Sequence, residues 1–467
     1  MTAADLLAVC KNALAAAGEP EAELYARFAE RGCARFAVGA LGQHMQLSEP
    51  LAVARVAVGK RMAEVETTRL DRDALVRAVH DAAVAARVVP EEPGFPGFAG
   101  DEALPGETPA RFVQATANAT PEERVERLAP VLEVVRGAGF VSAGMLETTS
   151  VAHALATTRG CARSHDATIA AFRVWALETA GAGGAAGYGG HVHRDVRELR
   201  IAEETERAVR ICGRSRDPVS LDAGNYDVVL EPEAVVELME WLAMIAFAAP
   251  EVEQGTSPIA GRLGQRITGE GIDMVEDPLD PSELGFGMPF DREGTPRRRV
   301  RLIEKGIARA VLYDRTYAAR AGATSTGSAL VPSMGSGGGV GATSVAVGAG
   351  NDASIDDLLA GIDRGLYICR LHYVNGLLEP RRAVMTGLTR DGCFLVEKGK
   401  IARPVGNLRF TDSLLEGLAR CDGMTRHRKA VPTWWSDAGA FVAPALRLRS
   451  FCFNGRSQER TQLDRAD

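Results

Sequence analysis

The stretch 226–250, YDVVLEPEAVVELMEWLAMIAFAAP, decides how the rest of the chain is read. Val228, Val229 and Leu230 form a short apolar run led by β-branched residues, which suits a buried strand. Pro232 follows at the place of a first helical residue, where its fixed φ and missing N–H cost nothing. Val235, Leu238, Met239, Leu242 and Ile245 then recur at the spacing of one helix face. Glu233, Glu237 and Glu240 line another face of the same helix. Such an acidic stripe serves either as a carboxylate site for metal or acid–base work or as a solvated face. Stacked like charges favour the solvated reading.

Working outward, 467 residues are enough for two or three cores, and 46% hydrophobic with 25% charged residues is the composition of an ordinary globular protein. The net charge of -7 and pI of about 5.8 leave no basic footprint for nucleic acid or an anionic membrane. No apolar run approaches the ~20 residues of a membrane span. The N-terminal MTAADLLAVCKNALAAAGE carries Asp5 and no basic start, so it reads as an amphipathic helix and the protein as cytoplasmic. Eight cysteines are scattered without a C-x-x-C pair, which fits free thiols better than a disulfide framework or structural zinc.

In chain order, a helix over 4–17 precedes strand-like pieces at 23–30, 34–41, 44–49 and 51–58. A capped helix begins at Asp71, with His80 as a structural residue on it. Residues 90–119 form a connecting loop, and Thr120-Pro121-Glu122-Glu123 is a capping box opening a helix to about 136. Further strands over 140–147, 150–158 and 167–180 make the N-terminal half α+β. Ser164-His165-Asp166 alternate faces on a strand and do not make a triad. His191 and His193 share a strand face with metal-binding geometry, but no third ligand lies nearby and an exposed edge strand is the favoured reading.

The boundary is placed in the turn-rich 213–224. This gives an N-terminal mixed helix and antiparallel-sheet domain over 1–212 and a β-rich domain over 222–467 around the central helix 232–248. Short strands at 265–275, 297–304, 306–313, 365–374, 383–390, 392–397 and 399–405 predict a mostly antiparallel, barrel-like second domain. The Gly-rich 333–350 lacks a phosphate-loop signature and reads as a loop. A helix over 412–419 leads into a loop with Trp434 and Trp435.

Several landmarks follow the central helix in a fixed order: Ser257, Leu263-Gly264-Gln265, Asp277-Pro278, the FDREG run 290–294, Ser325-Thr326-Gly327 and Arg403-Pro404-Val405. With the VVL strand and its proline-started helix, this order resembles the TldD/PmbA family over most of the chain. The zinc-bearing branch of that family carries His-Glu-x-x-x-His on the corresponding helix. Here those positions are Glu240, Trp241 and Ile245, so neither histidine ligand nor the general-base glutamate is present. The glycine that precedes the second histidine there is Met244 here. The stretch 434–444, where that branch supplies a cysteine ligand, has no cysteine.

The resemblance therefore implies the PmbA, or TldE-like, branch. It carries no catalytic residue or metal ligand of its own and no cofactor, with zinc expected in a partner subunit. Glu240, Trp241 and Ile245 become candidate substrate-cleft residues. The partners implied are a zinc-bearing TldD-like subunit or a second copy of this chain, together with a peptide substrate, and neither nucleic acid nor membrane. Two alternatives remain: an independent zinc-free enzyme, a homodimer acting on a small-molecule or natural-product conjugate, and an assembly or regulatory protein.

Overall fold

A computed structural model describes residues 1–104, 108–178, 184–331, 338–432 and 439–456. Its first half is built on six strands: β1 (Ala22–Ala37), β2 (Ala40–Val58), β3 (Arg61–Thr67), β4 (Val141–Thr157), β5 (Ala162–Leu177) and β6 (Ala186–His193). They lie in the order β3-β2-β1-β4-β5-β6, with every neighbouring pair antiparallel. Alternation puts Leu24 and Ala26 toward the helices Ala3–Ala17 and Arg72–Ala86, and Tyr25 toward the opposite face. On the helix-covered face, Ala34, Phe36, Phe172 and Val174 meet the helices Pro121–Gly137 and Ile201–Arg214.

Four strand-like pieces of the sequence are in fact two long strands, β1 and β2. Gly32, which looks like a break, lies mid-strand and makes room for the guanidinium of Arg124: a Cβ there would come within 2.4 Å of Cζ. Pro50 sits beyond the end of β3, which pairs only with Ala52–Val58, so its missing N–H interrupts no ladder on that side. The pieces at 140–147 and 150–158 are likewise one strand, β4.

The second half contains β7 (Gly224–Leu230), β8 (Met274–Glu276), β9 (Val300–Glu304), β10 (Ile307–Ala308), β11 (Ala329–Leu330), β12 (Gly339–Val340) and β13 (Val345–Val347). It continues with β14 (Arg364–Glu379), β15 (Val384–Glu397), β16 (Lys400–Pro404), β17 (Leu408–Ser413), β18 (Cys421–Pro432) and β19 (Ala440–Arg456). Apart from the β11–β12 ribbon, these strands form one sheet. Within it β7, β14, β15, β17 and β19 pair in succession and β19 returns to β7, closing a small barrel. The β7–β14 and β13–β19 pairings are parallel and the other pairings of this sheet antiparallel. The fold is thus α+β, with a barrel-like second half.

The central helix, Pro232–Ala246, packs its apolar stripe against β14 and β19 in the largest core, with Leu366, Ile368 and Leu446. Two expectations are corrected here. The region after Ala419, read as loop, contains β18 and β19. Register shifts at Cys421/Gly423 and Met424/Arg428 break the two-residue alternation by which a strand is recognised. Part of the Gly-rich 333–350 is also strand, β12 and β13; residues 333–337 of it, and Trp434 and Trp435, lie outside the described residues. Among the described residues no helix is long and apolar enough to cross a membrane.

Candidate functional site

The central helix runs without interruption through Met244, which is 42% exposed, to Ala246. A side chain at 244 in place of glycine is compatible with this regular helix. Ile245 is 3% exposed inside the main core. Trp241 is half-buried and lies over Gly376 of β14, where a Cβ would come within 3.0 Å of the indole. Of the three positions singled out from sequence, Glu240 lines a narrow pocket and is buried at 7% exposure.

The acidic stripe is not a solvated face, contrary to expectation. Glu233 is 5% exposed, and Glu237 is half-buried. Cations from two other elements explain why. Lys429 Nζ of β18 lies 3.0 Å from Glu233 Oε1 and 2.5 Å from Glu204 Oε1 on the helix Ile201–Arg214. Arg207, one turn along that helix, reaches Glu233 at 3.4 Å and also pairs with Glu231, which accepts the Tyr367 hydroxyl as well. Burial would push the Glu233 carboxyl up, but Arg207 and Lys429 outweigh it and hold the pKa down at about 2. Burial works against the charge on Lys429, and Glu233 and Glu204 raise its pKa nonetheless.

Beside this network, Arg173, Trp175, Tyr188 and Arg370 wall a narrow pocket whose floor is Glu233, Val236, Glu237 and Glu240. Arg173, Trp175 and Arg370 also border a much larger cavity, about 770 Å³, between the six-stranded sheet and the barrel. Arg370 Nη1 is 2.7 Å from Asp391 Oδ2, which also accepts the Trp175 indole N–H at 3.0 Å. The Arg370 guanidinium lies 4.7 Å from the Tyr188 ring centroid and 5.5 Å from that of Trp175. Arg35, His372 and Arg390 complete the charged and polar wall, with Asn407. None of these residues was singled out from sequence. They come from β1, β5, β6, β14 and β15 and, for Asn407, from the connection between β16 and β17, too far apart in the chain for any local pattern. One signal was present: the apparent break between strands at 390 and 392 falls on Asp391, which bends β15 with φ of 52°.

Other sequence candidates resolve as structure. His191 and His193 stack at 6.5 Å on the edge strand β6. His193 Nδ1 meets the Asp195 N–H, and burial, with Lys429 nearby, pushes His191 down to about 4. His80 is exposed, 3.1 Å from the Ala17 carbonyl oxygen. Asp166 accepts the Ala3 N–H and takes no part in a triad. The described cysteines are all free, and burial pushes Cys10 and Cys393 up to about 12, away from thiolate chemistry.

The residues at the family's zinc positions do not fit that metal. Glu240 offers one carboxylate, while Trp241 and Ile245 offer no donor and fill packed space; a zinc site needs three or four donors. Among the described residues no group of three or more His, Cys, Asp and Glu side chains is placed to hold a metal ion.

Residues 223–455 match the model of the PmbA/TldA metallopeptidase C-terminal domain. The chain belongs to the TldD/PmbA family. A metalloprotease of Methanothermobacter thermautotrophicus is 28% identical over 243 residues, 52% of this chain and 51% of that protein. A zinc metalloprotease TldD homologue of Saccharolobus solfataricus is 30% identical over 196 residues, 42% of this chain and 43% of the relative. The chain thus spans about half the length of these curated relatives. In three dimensions it superposes on TldE from Thermococcus kodakarensis with a TM-score of 0.87 at 19% identity, covering 96% of this chain and 100% of that one. That likeness establishes the fold.

Proposed function

We propose that this chain is the non-catalytic, TldE-like subunit of a TldD/PmbA-type metalloprotease complex. It shapes the enclosed cavity and orients a peptide for a zinc-bearing partner. The observation that carries this reading is the use made of the motif positions: Trp241 packs on Gly376, Ile245 lies in the core, and Glu240 is buried in the pocket floor. A helix face that is occupied in holding the barrel together has no room for a metal. The fold shared with TldE supports the same reading, as does the large cavity between the six-stranded sheet and the barrel. We also read residues 1–212 and 222–467 as the two domains of that subunit.

The test is reconstitution. The chain purified alone is expected to be inactive on unfolded peptides, and hydrolysis is expected when it is co-expressed with a zinc-bearing TldD-like relative, sensitive to chelators. Chelator-sensitive hydrolysis by the chain alone would overturn the proposal and favour an independent enzyme.

A further inference from the structure

β2 has a strand on each side only from Ala52 onward, where β3 runs beside it; among the described residues, 40–51 of β2 pair with β1 alone. The Ala57 N–H donates to the Glu21 carbonyl oxygen at 3.0 Å, and the register is unbroken from there to Gln43. Antiparallel alternation therefore turns the backbone groups of Gln43, Met45, Leu47 and Glu49 toward β1, and those of His44, Gln46 and Ser48 away from it. With the Pro50 carbonyl, these make an open ladder in line with β3. Exposed edges ordinarily carry charges that discourage pairing, and β3 has Arg61, Glu64 and Glu66. Residues 40–48 contain no Asp, Glu, Lys or Arg, and Glu49 is turned onto Arg31 at 3.5 Å. Met45 and Leu47 put an apolar strip on the face away from the helices, where Leu47 is 42% exposed. At one end of this edge, Gly42 and Gln43 belong to the wall of the large cavity. At the other end, Pro50 borders an apolar groove of about 550 Å³ with Met1, Val9, Phe28 and Leu70.

We propose that the free edge of β2 over 43–50 receives an extended peptide segment as an added antiparallel strand. The proposal rests on the reading of the chain as a peptide-orienting subunit and says how the peptide is held. An extended backbone repeats its donors and acceptors at the spacing of this ladder, so it matches the edge whatever its side chains. Antiparallel addition continues the line of β3 and the pattern of the sheet, in which every neighbouring pair is antiparallel. In that direction the N-terminal end of the segment lies at the Pro50 groove, and its C-terminal end runs past Gln43 into the large cavity. The span along the edge is about 27 Å at about 3.4 Å per residue. Peptide residues opposite His44, Gln46 and Ser48 exchange hydrogen bonds with β2, while those opposite Met45 and Leu47 lay their side chains on the apolar strip. Affinity from the backbone suits an unfolded substrate, with a preference for an apolar residue at the groove and at alternate positions along the edge.

The probe is the peptide Leu-Thr-Ser-Val-Ser-Val-Ser, fluorescein-labelled at its C-terminus and followed by fluorescence anisotropy on the full chain. Its serines fall opposite Ser48, Gln46 and His44, and its valines opposite Leu47 and Met45. N-methylation of the serines removes the donors that face β2 and is expected to weaken binding about tenfold or more. N-methylation of the threonine and valines, whose N–H groups point away from β2, should leave it within about threefold. Ser48→Pro deletes an N–H from the free edge without touching the β1 ladder and should weaken binding, whereas Ser48→Ala, which keeps the backbone, should not. Circular dichroism establishes that both variants fold. No binding to the unaltered chain, equal loss with the two methylated peptides, or undiminished binding by folded Ser48→Pro would each overturn the proposal. So would a dimer of the unaltered chain, seen by sedimentation velocity, that Ser48→Pro dissociates, because a second copy would then occupy the edge. Hydrolysis of an unfolded protein by the reconstituted pair is a separate readout: if it persists while the two methylated peptides bind alike, the subunit assignment stands and this inference falls.

Discussion

Lys429 Nζ of β18 sits 3.0 Å from Glu233 Oε1 in the first turn of the central helix. The pair joins the strand next to the barrel's closing strand β19 to the helix around which the second half is built. Through Glu204, 2.5 Å from the same ammonium, it also ties in the helix Ile201–Arg214 of the first half. Removing the cation leaves two buried carboxylates beside Arg207 alone. Lys429→Ala is expected to lower stability by about 3–5 kcal/mol, the usual cost of breaking a buried pair. Urea unfolding monitored by tryptophan fluorescence measures it.

Glu233 supplies the pH dependence of that tie. Its folded pKa of about 2 lies below the ordinary 4.5, so it contributes stability that is present above about pH 4.5 and is lost as pH falls toward 2. Glu233→Gln should therefore cost most at neutral pH, and its difference from the unaltered protein should shrink between about pH 4.5 and 2. Paired denaturant titrations across that range check the sign.

Gly376 and Trp241 are matched in size. A Cβ at 376 would meet two indole atoms and the Cβ of Trp241 at 3.0–3.2 Å, so Gly376→Ala must displace the side chain or the strand. The expected loss is about 1–3 kcal/mol, as for overpacking elsewhere. Trp241→Ala should relieve the clash, so a double-mutant cycle by thermal unfolding should show strong coupling between the two sites.

Arg55 of β2 stitches the halves. Its Nη1 is 3.1 Å from Glu23 Oε1 and 3.0 Å from Glu293 Oε1, and all three side chains are buried. Arg55→Met would leave two carboxylates facing each other without water. A loss of about 3–5 kcal/mol is expected, with faster proteolytic cleavage between the halves under native conditions.

The motif positions make the last prediction. Glu240→His, Trp241→Glu and Ile245→His together should not create a zinc peptidase. Ile245 is in the core, and a polar imidazole there replaces packed apolar contact with an unsatisfied group. Metal analysis and peptide assay of the triple variant are expected to show loss of folded protein without chelator-sensitive activity.

What the sequence determined by itself lay in local order. The VVL strand, the proline at 232 and the apolar stripe placed the central helix to within two residues of its end. The chain of short motifs from Ser257 to Val405 carried the family, and the α+β class followed from segregated helices and alternating strands. Tertiary structure alone decided the length of β1 and β2, because what tolerates Gly32 is Arg124 from a distant helix, and what tolerates Pro50 is the end of a neighbouring strand. It decided the state of the acidic stripe too. A row of glutamates reads as solvated until Arg207 and Lys429, brought from before and after the helix in sequence, supply the charge that makes burial possible. The arginine-lined cleft belongs to the same class: its residues share no segment and no periodicity, and only sheet pairing and barrel closure bring their charges to one cavity.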